Sequence, residues 1–85
     1  MNSVDIIGIL KEKIDDNYRY FEYELPYLDE PKEGPNIIVI KNWTNQPNSR
    51  LLVLQDGTRV ALHGHLDTSK KFGTILSVIE VQALR

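Results

Sequence analysis

The stretch RLLVLQDGTRVALHGHL, residues 50–66, carries the strongest structural signal of the sequence. Two apolar runs flank Asp56-Gly57, a dipeptide that favours a tight two-residue turn because both turn positions need positive φ. The pattern predicts a β-hairpin in which Arg50 pairs with His63. Cross-strand partners share a face of such a hairpin. The predicted core face holds Leu51, Val53, Val60 and Leu62, and the polar face holds Arg50, Leu52, Leu54, Arg59, Ala61, His63, His65 and Asp67.

The segment at the start of the chain predicts an amphipathic helix from Ser3 to about Asp16. Gly8 lies within it and lowers helix stability by about 1 kcal/mol relative to alanine. The next segment, YRYFEYEL at 18–25, alternates aromatic and acidic residues and predicts a strand. Apolar residues at helical spacing also continue through it, so an extension of the helix remains the alternative. The apolar positions of the helical stripe are Val4, Ile6, Ile7, Leu10 and Ile14, followed by Tyr18, Phe21 and Leu25.

The rest of the chain predicts further strands between polar connections. The strands are NIIVIKNW (36–43) and TILSVIEVQAL (74–84), and the connections are 26–36, 44–49 and 67–73. A helix followed by sequential strands predicts an α+β fold, with an N-terminal helix packed on a roughly five-stranded antiparallel sheet. A small closed barrel of the Sm-like, SH3-like or OB-like type is the alternative. We expect residues 1–85 to form a single small domain.

Composition narrows the class of protein. With 41% hydrophobic and 26% charged residues the chain is typical of a globular domain. The absence of cysteine excludes disulfides and thiolate zinc sites. The N-terminal apolar stretch is short and lacks a basic flank, so we expect no signal peptide or membrane span, and a cytoplasmic protein. The net charge of −2 divides unevenly, since residues 1–43 carry nine acids and five bases, and residues 44–85 three acids and five bases.

His63, His65 and Asp67 are the candidate metal ligands, because alternate residues of one strand can converge on an ion. The segment LHGHLDTS at 62–69 is similar to the G-H-x-D-T signature of zinc-dependent aminoacylase and dipeptidase-type metallopeptidases. The resemblance implies His65 as a zinc ligand and Asp67 as the residue that orients it. The match covers about eight residues, and beyond Asp67 only Glu80 remains as a further acidic ligand. We therefore expect no metal centre and no cofactor.

Basic and aromatic residues in the second half of the chain form the candidate nucleic-acid site. Cations that contact the backbone and aromatic rings that stack on bases are how small barrels hold single strands. The segment TSKKFGT at 68–74 also has the charge and the glycine of an anion-binding loop, without the spacing of a P-loop. The candidate residues are Arg50, Arg59, Lys70, Lys71, Phe72 and Trp43.

A tyrosine-rich and acidic segment is the candidate surface for a protein partner. Five of the aromatic residues of the chain fall between positions 18 and 27. Tyrosine provides rigid contact area with one polar tip, which suits an interface. The candidate residues are Tyr18, Tyr20, Glu22, Glu24, Tyr27, Asp29 and Glu30.

The main functional hypothesis from sequence is a non-enzymatic inhibitor, immunity or regulatory protein that binds a larger protein through this segment. Nucleic-acid binding is the alternative hypothesis. Catalysis finds no support, because no serine lies in a strand–turn–helix elbow and so short a chain offers little room for a cleft. The long apolar runs also suit a homodimer seam.

Overall fold

Five β-strands and one short helix form the structure, a computed structural model that describes residues 2–24, 36–44 and 49–84. The strands are β1 (Val4–Lys13), β2 (Tyr18–Tyr23), β3 (Ile37–Asn42), β4 (Arg59–Ser69) and β5 (Gly73–Ala83), and the helix α1 (Arg50–Val53) lies between β3 and β4. Within these described ranges, no helix has the length and hydropathy that a membrane crossing requires.

The strands close into a barrel in the order β1-β2-β3-β5-β4. Neighbouring strands are antiparallel except β3 and β5, which run parallel. The chain leaves β3, passes through α1 and β4, and returns beside β3 as β5, which is the crossover that a parallel pair needs. This strand order, with a helix between the third and fourth strands, is the topology of an OB fold. The expected number of strands is confirmed, and the barrel alternative describes them better than an open antiparallel sheet under an N-terminal helix.

The residues predicted to form the N-terminal helix instead form the strand β1, which pairs with two neighbouring strands. Its first half pairs with β4 and its second half with β2. Ile7 and Ile9 lie on the outer face of β1, so the apolar positions do not alternate cleanly and fit a helical spacing as well. Gly8 lies where both ladders overlap, and a Cβ there would clash with the carbonyl oxygen of Glu22. Gly8 therefore permits a close strand crossing.

The predicted hairpin of residues 50–63 is wrong, because both edges of β4 are occupied by other strands. Leu62 of β4 pairs with Ile6 of β1 on one side and with Val81 of β5 on the other. No edge is left for the segment that precedes Asp56-Gly57. The predicted face shared by Arg50 and His63 consequently does not exist.

The RLLV segment instead forms α1, which covers the barrel core. Leu51 and Leu52 of α1 are 1% and 3% exposed. The Asp56-Gly57 turn is retained as the link from α1 to β4, and Gly57 has a φ of 90°. The amide of Gly57 donates to the carbonyl oxygen of Leu10 at 2.7 Å, so the turn continues the contact between β1 and β4. The turn at Asp56-Gly57 is thus confirmed, but only Gly57 has a positive φ, whereas both positions were expected to have one. The element before the turn is a helix and not the predicted strand.

The core draws on every described strand and on α1. Burial of this apolar surface is the main force that closes the barrel. The buried cluster consists of Leu10, Phe21, Ile40, Leu51, Val60, Leu62, Leu76 and Val78.

Arg19 of β2 is fully buried and joins three parts of the chain. Its guanidinium donates to the carbonyl oxygen of Lys11 from Nε (3.0 Å) and Nη2 (2.7 Å). Nη1 donates to the carbonyl oxygens of Leu51 and Leu54, both at 2.9 Å, and Nη2 also donates to Asp56 Oδ1 at 2.8 Å. Burial lowers the pKa of Arg19, while the Asp56 carboxylate acts in the opposite direction. All five donors are used, which permits a charged group to be buried here.

The segment predicted as a loop at 67–73 is largely strand. β4 continues to Ser69, β5 begins at Gly73 with a φ of 75°, and residues 70–72 form the turn. The last predicted strand is confirmed, and so is the strand rather than the helix over Tyr18–Tyr23. Most of the predicted connections at 26–36 and 44–49 lies outside the described residues.

Candidate nucleic-acid interface

An aromatic pair joins the start of β2 to the turn between β4 and β5. The ring centroids of Tyr18 and Phe72 are 5.0 Å apart with an angle of 51° between the planes. Lys71 Nζ lies 5.3 Å from the centroid of the Phe72 ring, within the range of a cation–π contact. The pair combines two half-buried rings with a cation, which is the composition of a base-stacking site.

The pairing register shows that the β4–β5 hairpin bends to make this contact. Continuing the register of β3 with β5 would place Phe72 beside residue 36, whereas Tyr18 is opposite Lys41. These positions are about 16 Å apart along the sheet. The tip of the hairpin therefore bends towards Tyr18 at the start of β2.

Side-chain oxygen atoms hold the backbone on both sides of the aromatic pair. Asp15 Oδ1 accepts hydrogen bonds from the amides of Asn17 (2.8 Å) and Tyr18 (2.9 Å). Ser69 Oγ accepts hydrogen bonds from the amides of Lys71 (3.2 Å) and Phe72 (3.3 Å). Such local bonds stabilise turns that aspartate and serine favour. The sequence therefore places each ring at a defined position next to a turn.

A row of four residues crosses the outer face beside the aromatic pair. Tyr18 of β2 is opposite Lys41 of β3, Lys41 is beside Ser77 of β5, and Ser77 is opposite His65 of β4. Sequence reasoning missed Lys41. Its signal was that it is the only charged residue in the apolar run NIIVIKNW.

Three lysines near the pair are free of acidic partners among the residues that the structure describes. In the described part of the chain, no ion pair involves Lys41, Lys70 or Lys71. Lys11, in contrast, pairs with Glu22 at 3.2 Å. Positive charge without a described acidic partner therefore lies near Tyr18 and Phe72, where Asp15 is the carboxylate that contacts the backbone of Tyr18.

Arg59, predicted to belong to the same site, lies elsewhere. It begins β4, ten residues or about 33 Å of strand before Ser69. Its guanidinium donates to both carboxylate oxygens of Glu24, at 2.8 and 3.1 Å. This contact raises the pKa of Arg59, and the same hydrogen bonds lower the pKa of Glu24. Arg59 is thus neutralised by a carboxylate and is separate from the cluster.

Trp43 and Arg50 line a second groove, between the end of β3, α1 and β5. Trp43 is 56% exposed. The two residues were expected next to Lys70 and Lys71. The structure instead places them in this second groove, which neither lysine lines.

The candidate residues for a protein partner are distributed over several environments. Tyr20 and Glu22 line a groove with Lys11, and Glu22 is held by the ion pair with that lysine. Glu24 is held by Arg59. Tyr27, Asp29 and Glu30 lie outside the described residues.

The histidines do not assemble a metal site in the described part of the chain. His63 Nδ1 lies 2.7 Å from Asp5 Oδ1 of β1, on the outer face. Asp67 Oδ1 accepts a hydrogen bond from the amide of Thr68 at 2.8 Å. No group of three or more His, Asp or Glu residues suited to a metal ion occurs among the residues described. Arg50, expected beside the histidines, belongs to α1.

The fold is similar to that of two proteins of known structure. One is the dimeric N-terminal domain of PriB protein from Thermoanaerobacter tencongensis, with 20% identity over 99% of this chain and 97% of that chain, and a TM-score of 0.59. The other is the second single-stranded DNA-binding protein, SSBb, from Mycobacterium smegmatis, with 13% identity over 96% and 87%, and a TM-score of 0.58. At these identities the similarity shows the fold alone. No protein-family model and no curated protein sequence matches the chain.

These comparisons contradict the main hypothesis from sequence, an inhibitor or regulatory protein that binds a protein through the tyrosine and glutamate residues. A single-stranded DNA-binding protein is among the structural neighbours, so the alternative hypothesis agrees better with the fold. Several candidate residues for a protein partner are also engaged within the chain. Glu22 and Glu24 already have cationic partners within the chain, and Tyr18 contacts Phe72.

Proposed function

We propose that this protein binds single-stranded nucleic acid, without catalysis, through Tyr18, Lys41, Lys70, Lys71 and Phe72. The observation that carries the proposal is the Tyr18–Phe72 ring pair with Lys71 beside it and Lys41 opposite Tyr18. A base stacks on the exposed side of the ring pair, and the lysines contact the phosphates on either side. The similarity of the fold to SSBb supports the same function.

Binding of a labelled oligodeoxythymidylate, followed by fluorescence anisotropy in about 50 mM salt, tests this proposal. Removal of a stacking ring costs about 1–3 kcal/mol per base. We therefore expect Phe72→Ala to weaken binding by roughly 5- to 150-fold. Lys71→Gln should weaken it as well, because one phosphate contact is lost.

Arg59→Gln is the matched control for charge. It removes one positive charge, as Lys71→Gln does, but from a site that faces Glu24 on another part of the barrel. We expect its affinity to stay within about twofold of the wild type, because the lost charge was already neutralised. Equal effects of Arg59→Gln and Lys71→Gln, or no binding by the wild type in low salt, would contradict the proposal.

Self-association belongs to the same proposal. The PriB domain that the chain resembles is described as dimeric. We propose that this chain also forms a homodimer, which would present two copies of the interface to one strand. Light scattering coupled to size-exclusion chromatography distinguishes this state from a monomer.

A further inference from the structure

The groove that contains Trp43 and Arg50 is a second feature of the outer surface. Trp43 is 56% exposed, and Ile79, which lines the same groove, is 43% exposed. The indole ring offers a flat, exposed face of the kind on which bases stack. The nucleic-acid site proposed above does not include this groove.

The backbone around Trp43 is held in place by its neighbours. Its amide donates to the carbonyl oxygen of Val78 at 2.9 Å, which continues the contact between β3 and β5. The side-chain amide of Asn42 donates to the carbonyl oxygen (2.8 Å) and to Oγ1 (2.6 Å) of Thr44. The indole is therefore presented to solvent from an anchored position.

The charge of this groove distinguishes it from two other grooves on the barrel. Among the described residues that line it, none is acidic, and Arg50 has no ion-pair partner in the described part of the chain. The groove along β1, β4 and β5 contains Asp5 and Glu80, and the groove between Lys11 and Ile37 contains Glu12 and Glu22. A polyanion fits the Trp43 groove and is repelled by carboxylates in the other two.

The groove is also continuous with the first site. Trp43 follows Lys41 by two residues, about 7 Å of strand, and Ile79 follows Ser77 by the same number. Lys41 therefore lies between the Tyr18–Phe72 pair and the indole, where it can contact the phosphates that connect two stacked bases.

We propose that the Trp43 groove is a second base-stacking subsite for the same strand, in which a base stacks on the indole and Arg50 contacts a phosphate. This inference rests on the proposed function, since it adds a subsite to that interface. The bound strand runs from the Tyr18–Phe72 pair past Lys41 to Trp43. A span of several nucleotides agrees with the site sizes of about 4–16 nucleotides known for OB folds.

Trp43 is the only tryptophan of the chain, so its intrinsic emission reports on this groove. Titration with the oligonucleotide dT12 is followed by that emission and, separately, by the anisotropy of labelled dT12. We expect quenching that saturates together with the anisotropy. Phe72→Ala should require more dT12 but reach the same final quenching, because the indole remains accessible to a base.

Variants then separate stacking from charge. Trp43→Ala should weaken dT12 binding by roughly 5- to 150-fold, and Trp43→Phe should recover most of the loss because a ring is restored. Arg50→Gln should weaken binding and reduce the salt dependence by about 0.7 in the log–log slope. Val53→Ala is the control, since Val53 is an apolar residue that is 62% exposed and does not line the groove.

The outcomes distinguish this inference from the proposed function. Suppose that anisotropy shows dT12 binding while the Trp43 emission is unchanged, and that Trp43→Ala binds dT12 with the affinity of the wild type. This result would overturn the second subsite and leave the first. Absence of any binding would overturn both. A change in Trp43 emission with protein concentration alone would show that a second copy of the chain occupies the groove, which also overturns the subsite.

Discussion

Arg19 is a fully buried charged residue that connects β1, α1 and the Asp56-Gly57 turn. Its guanidinium donates to the carbonyl oxygens of Lys11, Leu51 and Leu54, and so connects β1 to α1 and to the residue that follows α1. Arg19 also lies between Tyr18 and Tyr20 in sequence, so it anchors the strand that carries the proposed stacking ring. Its side chain points into the barrel end while theirs lie on the outer face.

We expect Arg19→Met to lower the free energy of unfolding by about 3 kcal/mol. Methionine fills much of the volume but leaves buried carbonyl oxygens without donors. Asp56→Asn should cost less than about 1 kcal/mol, because the Asp56 side chain is 64% exposed and its ion pair is screened by solvent. Urea denaturation measures both. Equal losses in the two variants would show that the ion pair, and not the carbonyl contacts, is the source of the stability.

At the scale of elements, residues 50–53 form the helix α1 and not the first strand of the predicted hairpin. A helix of four residues has little stability of its own. α1 exists because Leu51 enters the barrel core and because β1 and β5 already occupy both edges of β4. The local pattern of RLLVLQDG did not contain that information, although it correctly indicated the turn.

Glu24, which follows β2, contacts Arg59, which begins β4. We expect this contact to make the free energy of unfolding depend on pH. The hydrogen bonds from Arg59 lower the pKa of Glu24 in the folded state, below the value of about 4.3 for an unfolded glutamate. Its stabilising contribution is therefore present above that value and is lost as the pH falls through the lowered pKa.

Thermal unfolding of the wild type and of Glu24→Gln tests this expectation. The wild type should have the higher Tm at neutral pH, and the difference should shrink as the pH falls below about 4. A difference that is independent of pH would show that the charge of Glu24 is not involved. The effect should also decrease in high salt, because both side chains are close to half exposed.

At the scale of the whole molecule, the distribution of charge matters more than its sum. The chain has a net charge of −2, and three of its acids, Glu22, Asp56 and Glu24, form ion pairs with Lys11, Arg19 and Arg59. The Asp15 carboxylate, in contrast, lies beside Tyr18, where it accepts hydrogen bonds from backbone amides. Lys41, Lys70 and Lys71, which form no ion pair with a described residue, add positive charge near the ring pair, although the sequence as a whole argues against strong attraction to phosphates.

This distribution predicts the salt dependence of binding. Three phosphate contacts, from Lys41, Lys70 and Lys71, correspond to a slope of about −2 in log K against log salt, and a fourth from Arg50 to about −3. Titrations between about 25 and 200 mM salt measure the slope. Each lysine changed to glutamine should reduce it by about 0.7, and Arg59→Gln should leave it unchanged. An affinity independent of salt would exclude this role of the lysines.

The sequence by itself indicated the strands β2, β3 and β5, the turn at Gly57, and the core residues Leu51, Val60 and Leu62. It placed Val53 in the core and Leu52 on the polar face, whereas Val53 is 62% exposed and Leu52 is 3% exposed. β-branched runs and turn residues express local preferences, and these hold in any compact arrangement of the chain. It also supplied the basic and aromatic residues of the interface, but assigned Tyr18 to one surface and Phe72 to another.

Only the tertiary structure decided that residues 4–13 form a strand, that residues 50–53 form a helix, and that Arg19 is buried. It also decided which aromatic residues meet. Each of these outcomes depends on pairing between segments far apart in the chain, since closing a barrel requires every strand to satisfy two neighbours at once. A local pattern specifies what a segment can form, and the closure of the barrel selects among those possibilities.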